Sequence, residues 1–142
     1  MRLAPGADAG YVLQVGMDHG RMQLLREGLD AWRRGDLAAV EAMFDPEATW
    51  HATEPGEWDC QNRAHIVHIL RERFEQGFAR ADVELVDARS HAAVMVSHPS
   101  RIGGDEWPDL IATVFRFKGD KIVAMRDYRT REEALAAVRS DP

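Results

Sequence analysis

The hydrophobic period of this 142-residue chain changes once, near residue 80, and that change restricts the fold more than any residue count does. Before it, apolar residues recur at helical spacing: Met22, Leu25, Leu29 and Trp32, with Arg26, Asp30, Arg33 and Arg34 between them and Gly35 closing the run. Asp36 suits the N-cap of a short second helix with Leu37, Val40, Met43 and Phe44 facing inward, ended by Pro46. Asn62 suits the cap of a third, with Ile66, Ile69, Leu70 and Phe74 as its apolar stripe and Gly77 at its end. Between them, the β-branched and aromatic run 49–52 reads as a short strand bounded by Pro46 and Pro55-Gly56. After the change of period, 83–89, 92–98, 107–117 and 121–129 read as strands. Short turns join them, among them Gly103-Gly104 and Lys118-Gly119-Asp120. Thr130 with Glu133 three residues on forms a capping box for a closing helix through Leu135 and Val138. Helices followed by consecutive strands define an α+β domain, with the helices laid on one face of an antiparallel sheet.

Charge and composition narrow the partners. With 18 Lys+Arg against 24 Asp+Glu and no basic cluster, the chain is a poor match for nucleic acid or an anionic membrane, which are held through Lys and Arg. Its 45% hydrophobic content supplies a sizeable core, yet the longest apolar runs, 92–96 and 134–138, fall far short of the roughly 20 residues of a membrane span. The first residues carry no apolar signal region, and the single Cys60 excludes an internal disulfide, so a cytoplasmic protein is expected. Residues 1–18, with Pro5 and three glycines, read as a loose arm, and 19–139 as one domain.

One set of features is specific in combination. A helix runs into Trp32-Arg33-Arg34-Gly35-Asp36-Leu37, followed by Phe44-Asp45-Pro46-Glu47-Ala48-Thr49-Trp50-His51. A helix and four strands come next, and Gly119-Asp120-Lys121-Ile122-Val123 precedes Arg126-Asp127-Tyr128. In this order the chain resembles the nuclear transport factor 2-like superfamily, in its SnoaL-like branch, over roughly residues 19 to 139. The resemblance implies a cone: a strongly curved sheet wrapped round the N-terminal helices, enclosing an apolar pocket open at one end. That cone is shared by ketosteroid isomerases, scytalone dehydratases, limonene-epoxide hydrolases and polyketide cyclases, so the pocket residues decide the chemistry.

The family register implies which side chains line the pocket, because alternate residues of a strand share a face. It turns Trp50 and Ala52 inward from the first strand, and Val94, Val96 and His98 from the 92–98 strand. From the last two strands it turns in Ile111, Thr113, Phe115 and Phe117, then Val123, Met125, Asp127 and Arg129. Ketosteroid isomerase chemistry needs a carboxylate base and two oxyanion donors, and the corresponding positions hold Ala52, Gly28 and Thr113, so that reaction is excluded. Arg126-Asp127-Tyr128 matches the carboxylate segment of the epoxide hydrolases, but the Arg/Asp partner of that site is replaced by Val94, Val96 and His98. What remains is a carboxylate and an imidazole in one pocket. Asp127, desolvated, and His98 would exchange protons with substrate near neutral pH.

The expectation is therefore a protein that binds a hydrophobic small molecule and acts on a small carbonyl compound by cofactor-independent acid/base catalysis, as an isomerase, dehydratase, cyclase or hydrolase. Asp127 and His98 are the candidate catalytic pair, and Trp50, Thr113, Phe115, Met125, Val96 and Arg129 the candidate substrate contacts. An Asp127–Arg129 ion pair at a wide mouth would favour the alternative, a non-catalytic ligand-binding or dimerisation module. The resemblance also implies a homodimer through the outer sheet face, where Leu110, Ala112 and Val114 form an apolar patch. His65 and His68, three apart on a helix, have no clear third ligand, so no metal is expected; Cys60 has no partner that marks a nucleophile.

Overall fold

Three helix starts are written as side-chain caps. Asp36 accepts a hydrogen bond from the backbone N–H of Ala39, Asn62 from that of His65, and Thr130 from that of Glu133, so each cap satisfies one donor that a helix N-terminus leaves unpaired. In the computed structural model, which describes residues 9–54, 56, 59–88, 92–99 and 108–140, these caps open α2 (Leu37–Glu41), α3 (Arg63–Glu75) and α4 (Arg131–Arg139). Gly77 takes the left-handed conformation (φ 96°) just beyond α3, which only glycine adopts without strain, and turns the chain into a short 3₁₀ segment, Phe78–Arg80. The strands are β1 (Phe44–His51), β2 (Asp82–Ala88), β3 (Ala92–His98), β4 (Ile111–Lys118) and β5 (Lys121–Tyr128).

The first helix, α1 (Ala9–Arg33), begins well inside the stretch expected to be a loose arm over 1–18. Gly10 and Gly16 each cost about 1 kcal/mol of helix propensity against alanine, but extending a helix already nucleated C-terminal to them is far easier than starting one. The second helix is shorter than expected and Pro46 does not terminate it. Pro46 lies within β1, where a residue without an N–H is tolerated at an edge, and β1 is an edge strand. The Gly103-Gly104 turn and the expected strand start at Trp107 lie outside the described residues.

The sheet has five strands in the order β1-β5-β4-β3-β2. The four C-terminal strands pair antiparallel as expected, but β1 pairs parallel with β5, so the sheet is mixed. Helix α3 supplies the long connection between β1 and the meander. The pairing of β4 with β5 slips between Arg116 and Phe117: Arg116 faces Ala124, while Phe117 faces Ile122. Val123 is thus the extra residue of a bulge. Ile122 takes the inward place that simple alternation assigns to Val123, and it is almost fully buried.

Apolar side chains occupy both faces of the sheet. On the concave face, Phe44, Ala93, Phe115, Phe117, Ile122 and Met125 pack with Met22, Leu25, Ile66 and Ile69 from α1 and α3. On the convex face, Ala92, Val94, Val96, Ala112 and Val114 pack with Ala134 and Val138 of α4. This corrects the expectation of an open apolar patch at Leu110, Ala112 and Val114. The closing helix of the same chain lies on it, and Ala112 and Val114 are buried beneath that helix, with Leu110 partly buried at its margin.

Candidate functional site

The register of the sheet builds the site. Asp127 of β5 stands directly opposite Thr113 of β4, Thr113 opposite Met95 of β3, and Met95 opposite Leu85 of β2, so these side chains form one row across the concave face. Trp50 of β1 is opposite Met125 of β5 and is held on its other side by a pair of backbone hydrogen bonds with Cys60 (2.7 and 3.0 Å). That bracing delivers the indole to Asp127: Trp50 Nε1–H donates to Asp127 Oδ1 at 3.1 Å, and the Thr113 hydroxyl donates to the same oxygen at 2.8 Å. The second oxygen, Oδ2, accepts no hydrogen bond from the described residues.

These groups border a cavity of about 110 Å³ between the concave sheet and the helices, walled by Trp50, Phe115, Met125, Phe78 and Leu70 and carrying Arg73 of α3. The Arg73 guanidinium lies over the Phe78 ring, 5.0 Å from its centroid, and over the Trp50 ring at 5.9 Å, within cation–π range. Burial raises the pKa of Asp127 above the usual carboxylate range; the hydrogen bonds from Trp50 and Thr113 and the positive charge of Arg73 pull in the opposite direction. Burial lowers the pKa of Arg73, opposed by the charge of Asp127. A carboxylate with one oxygen held by two donors and the other without a hydrogen bond from the described residues is equipped to take a proton, and a cation bordering the same apolar cavity to stabilise the negative charge left behind.

The structure separates the expected residues into two groups. Asp127, Trp50, Thr113, Phe115 and Met125 border the cavity together. Val96 and His98 do not. On β3 it is Met95 and Ser97 that reach the cavity, Val96 packs under α4, and His98 lies at the strand end with Nδ1 3.3 Å from the carbonyl oxygen of Asp109. The expected parity of this strand is off by one residue, which sends every side chain to the opposite face. Arg129 does not pair with Asp127. Its guanidinium bonds the Glu54 carboxylate, both side chains being largely exposed. Thr113, expected to donate to substrate, donates instead to Asp127. Ala52 is outside the lining; its N–H donates to Asp59 Oδ1. Arg73 was not among the expected residues, although it lies seven positions after Ile66 and four after Ile69, on the same stripe of α3.

His68 is exposed and lies 3.5 Å from Glu72, and the described residues contain no group of three or more His, Cys, Asp or Glu able to hold a metal ion. The Cys60 thiol is buried and pushed up to about 11, chiefly by burial, so it stays protonated at neutral pH. No helix among the described residues is long and apolar enough to cross a membrane.

A curved sheet folded over helices with a polar pair in an apolar cavity defines a cone of the nuclear transport factor 2-like, or cystatin-like, kind. The SnoaL-like domain model matches residues 25–125, and the chain belongs to that family. Among solved structures it is similar to Bal32a from a soil-derived mobile gene cassette (19% identity, 84% of this chain and 96% of that one, TM-score 0.61). It is also similar to an NTF-2 like protein of unknown function from Burkholderia xenovorans (17%, 78% and 82%, TM-score 0.61). A candidate polyketide cyclase from Xanthomonas campestris pv. campestris is a further neighbour (14%, 84% and 97%, TM-score 0.56). At these identities the likeness is one of fold. No curated protein matches the chain in sequence.

Proposed function

We propose that this protein binds a small hydrophobic carbonyl compound in the cone and moves a proton on it with Asp127, in the class of cofactor-independent enolisation, aldol-type cyclisation or dehydration. The observation that carries the reading is the asymmetric carboxylate: Oδ1 is fixed by Trp50 and Thr113, while Oδ2 is left to accept a proton beside an apolar cavity. In the first step, the Cα–H bond of the substrate breaks, its proton goes to Oδ2, and its electron pair moves to the carbonyl oxygen as an enolate. The Arg73 charge stabilises that enolate. Oδ2 then gives the proton back. It goes to a different carbon of the conjugated enolate in isomerisation, or to the alkoxide formed when the enolate carbon attacks a second carbonyl of the substrate in cyclisation. In dehydration it goes to the β-hydroxyl, which leaves as water as its C–O bond breaks and the Cα=Cβ bond forms. His98 has no part in this scheme, because it lies outside the cavity lining. That Arg129 lies on Glu54 and not on Asp127 also supports this reading over a non-catalytic module. Candidate cyclases among the structural neighbours agree with the reaction class.

The test is deuterium exchange at the α-carbon of a hydrophobic β-keto ester, followed by NMR. The wild type is expected to accelerate exchange over buffer, and Asp127→Asn to lose at least about 100-fold of that acceleration, the usual worth of a general base, while retaining binding. Equal exchange in the two proteins would overturn the assignment.

A further inference from the structure

The inner cavity is small for a substrate site. Its volume of about 110 Å³ falls below the range of about 300–1,000 Å³ usual for small-molecule pockets. A second space of about 350 Å³ lies outside it, along α1 and α2, with Leu24, Ala31 and Ala39 in its wall and Glu27, Asp30 and Arg34 at its rim. Two residues border both spaces, Gly28 of α1 and Met43 of the turn between α2 and β1. Their relation is close: an ideal Cβ built on Gly28 would stand 2.0 Å from Met43 Sδ and 2.3 Å from Cε. The thioether of Met43 therefore lies across Gly28, in space that any other residue would fill, at the place where the linings of cavity and groove share residues.

The Met43 backbone is fixed on both sides. Its N–H donates to Val40 O at 3.0 Å and its carbonyl accepts from Ile122 N–H at 2.8 Å. Only the side chain is left to move, and methionine, with three rotatable bonds and a polarizable sulfur, is suited to repacking around a guest.

We infer that Met43, lying across Gly28, is a side-chain gate that joins the Asp127 cavity to the α1–α2 groove, and that the substrate is an elongated carbonyl compound whose carbonyl end lies by Asp127 and Arg73 while a linear apolar tail passes Met43 into the groove. This rests on the reading of the cavity as the substrate site. The lining shared at Gly28 and Met43 selects the tail of the same ligand as the occupant of the groove, and the two spaces together, if Met43 swings aside, reach the usual size of such sites.

The test is binding of straight-chain 2-alkanones, from 2-butanone to 2-undecanone, to the wild type and to Met43→Ala, with the Ala39 methyl, which borders the groove alone, as NMR reporter. Affinity is expected to keep rising along the series, by about fourfold per methylene buried. The long ketones, and not 2-butanone, are expected to shift Ala39 in the wild type. Met43→Ala is expected to tighten the long ketones selectively. Short ketones that bind while long ones fail, or long ones that bind without moving Ala39, would overturn the gate and leave the site reading intact. Failure of every ketone to bind either protein would overturn both. The wild-type Ala39 measurement does not depend on how well Met43→Ala folds.

Discussion

Asp127 is held between opposing influences. Burial favours its protonated form, whereas Trp50, Thr113 and Arg73 favour the ionised one. Thr113→Val removes one donor at nearly constant volume, so the carboxyl should titrate higher and the pH profile of α-proton exchange should move upward, with Thr113→Ser restoring it. A profile that stays in place in Thr113→Val would deny the hydroxyl its tuning role. The raised pKa also makes Asp127 a pH-dependent element of stability. Below the ordinary carboxylate range the group is protonated folded and unfolded, and its contribution is fully present; it is lost as pH rises through the higher folded value. Chemical denaturation should therefore show the wild type falling relative to Asp127→Asn between acid and neutral pH, and parallel curves would contradict this. The place of Asp127 on the cavity wall was legible in the sequence because a family motif carries it on a strand. Arg73 was not, because a cation on an apolar helix stripe reads as an interruption until Trp50 and Phe78 are seen stacked beneath it.

The helix caps were the most legible elements, since a cap is a local hydrogen bond requiring only neighbours in sequence. Thr130→Ala should cost about 1 kcal/mol in denaturant titration, as loss of the Thr130 bond to Glu133 N–H (3.0 Å) demands; an unchanged midpoint would show the cap to be unimportant. Strand β3 was legible in extent and illegible in parity. Ala92, Ala93, Val94 and Val96 are all buried because helices cover both faces of the sheet, so no alternation of polar and apolar residues marks the inward side. Val96 and His98 were misplaced for that reason. The same blindness applies to the bulge at Val123, which depends on the pairing partner and leaves no trace in β5 itself.

At the scale of the molecule, the sheet divides the protein into a concave side that holds the cavity and a convex side sealed by α4. Helices before strands announced the α+β class, but the parallel pairing of β1 with β5 is a long-range choice that periodicity does not encode. Ile66, fully buried between α3 and the sheet, ties the helices to the concave face, and Ile66→Ala should cost about 2–5 kcal/mol in denaturant titration. A loss below about 1 kcal/mol would mean that the helices hold the cone by other contacts. The claim on which the function turns is that a desolvated Asp127 carboxylate is the proton acceptor. Carboxyl-carbon NMR titration of Asp127, set beside the pH dependence of α-proton exchange on a hydrophobic β-keto ester, measures it directly. The carboxyl should titrate above the ordinary aspartate range, and the exchange rate should rise with pH along the same curve. A carboxyl that titrates as an ordinary aspartate, or an exchange rate that ignores its titration, would contradict it.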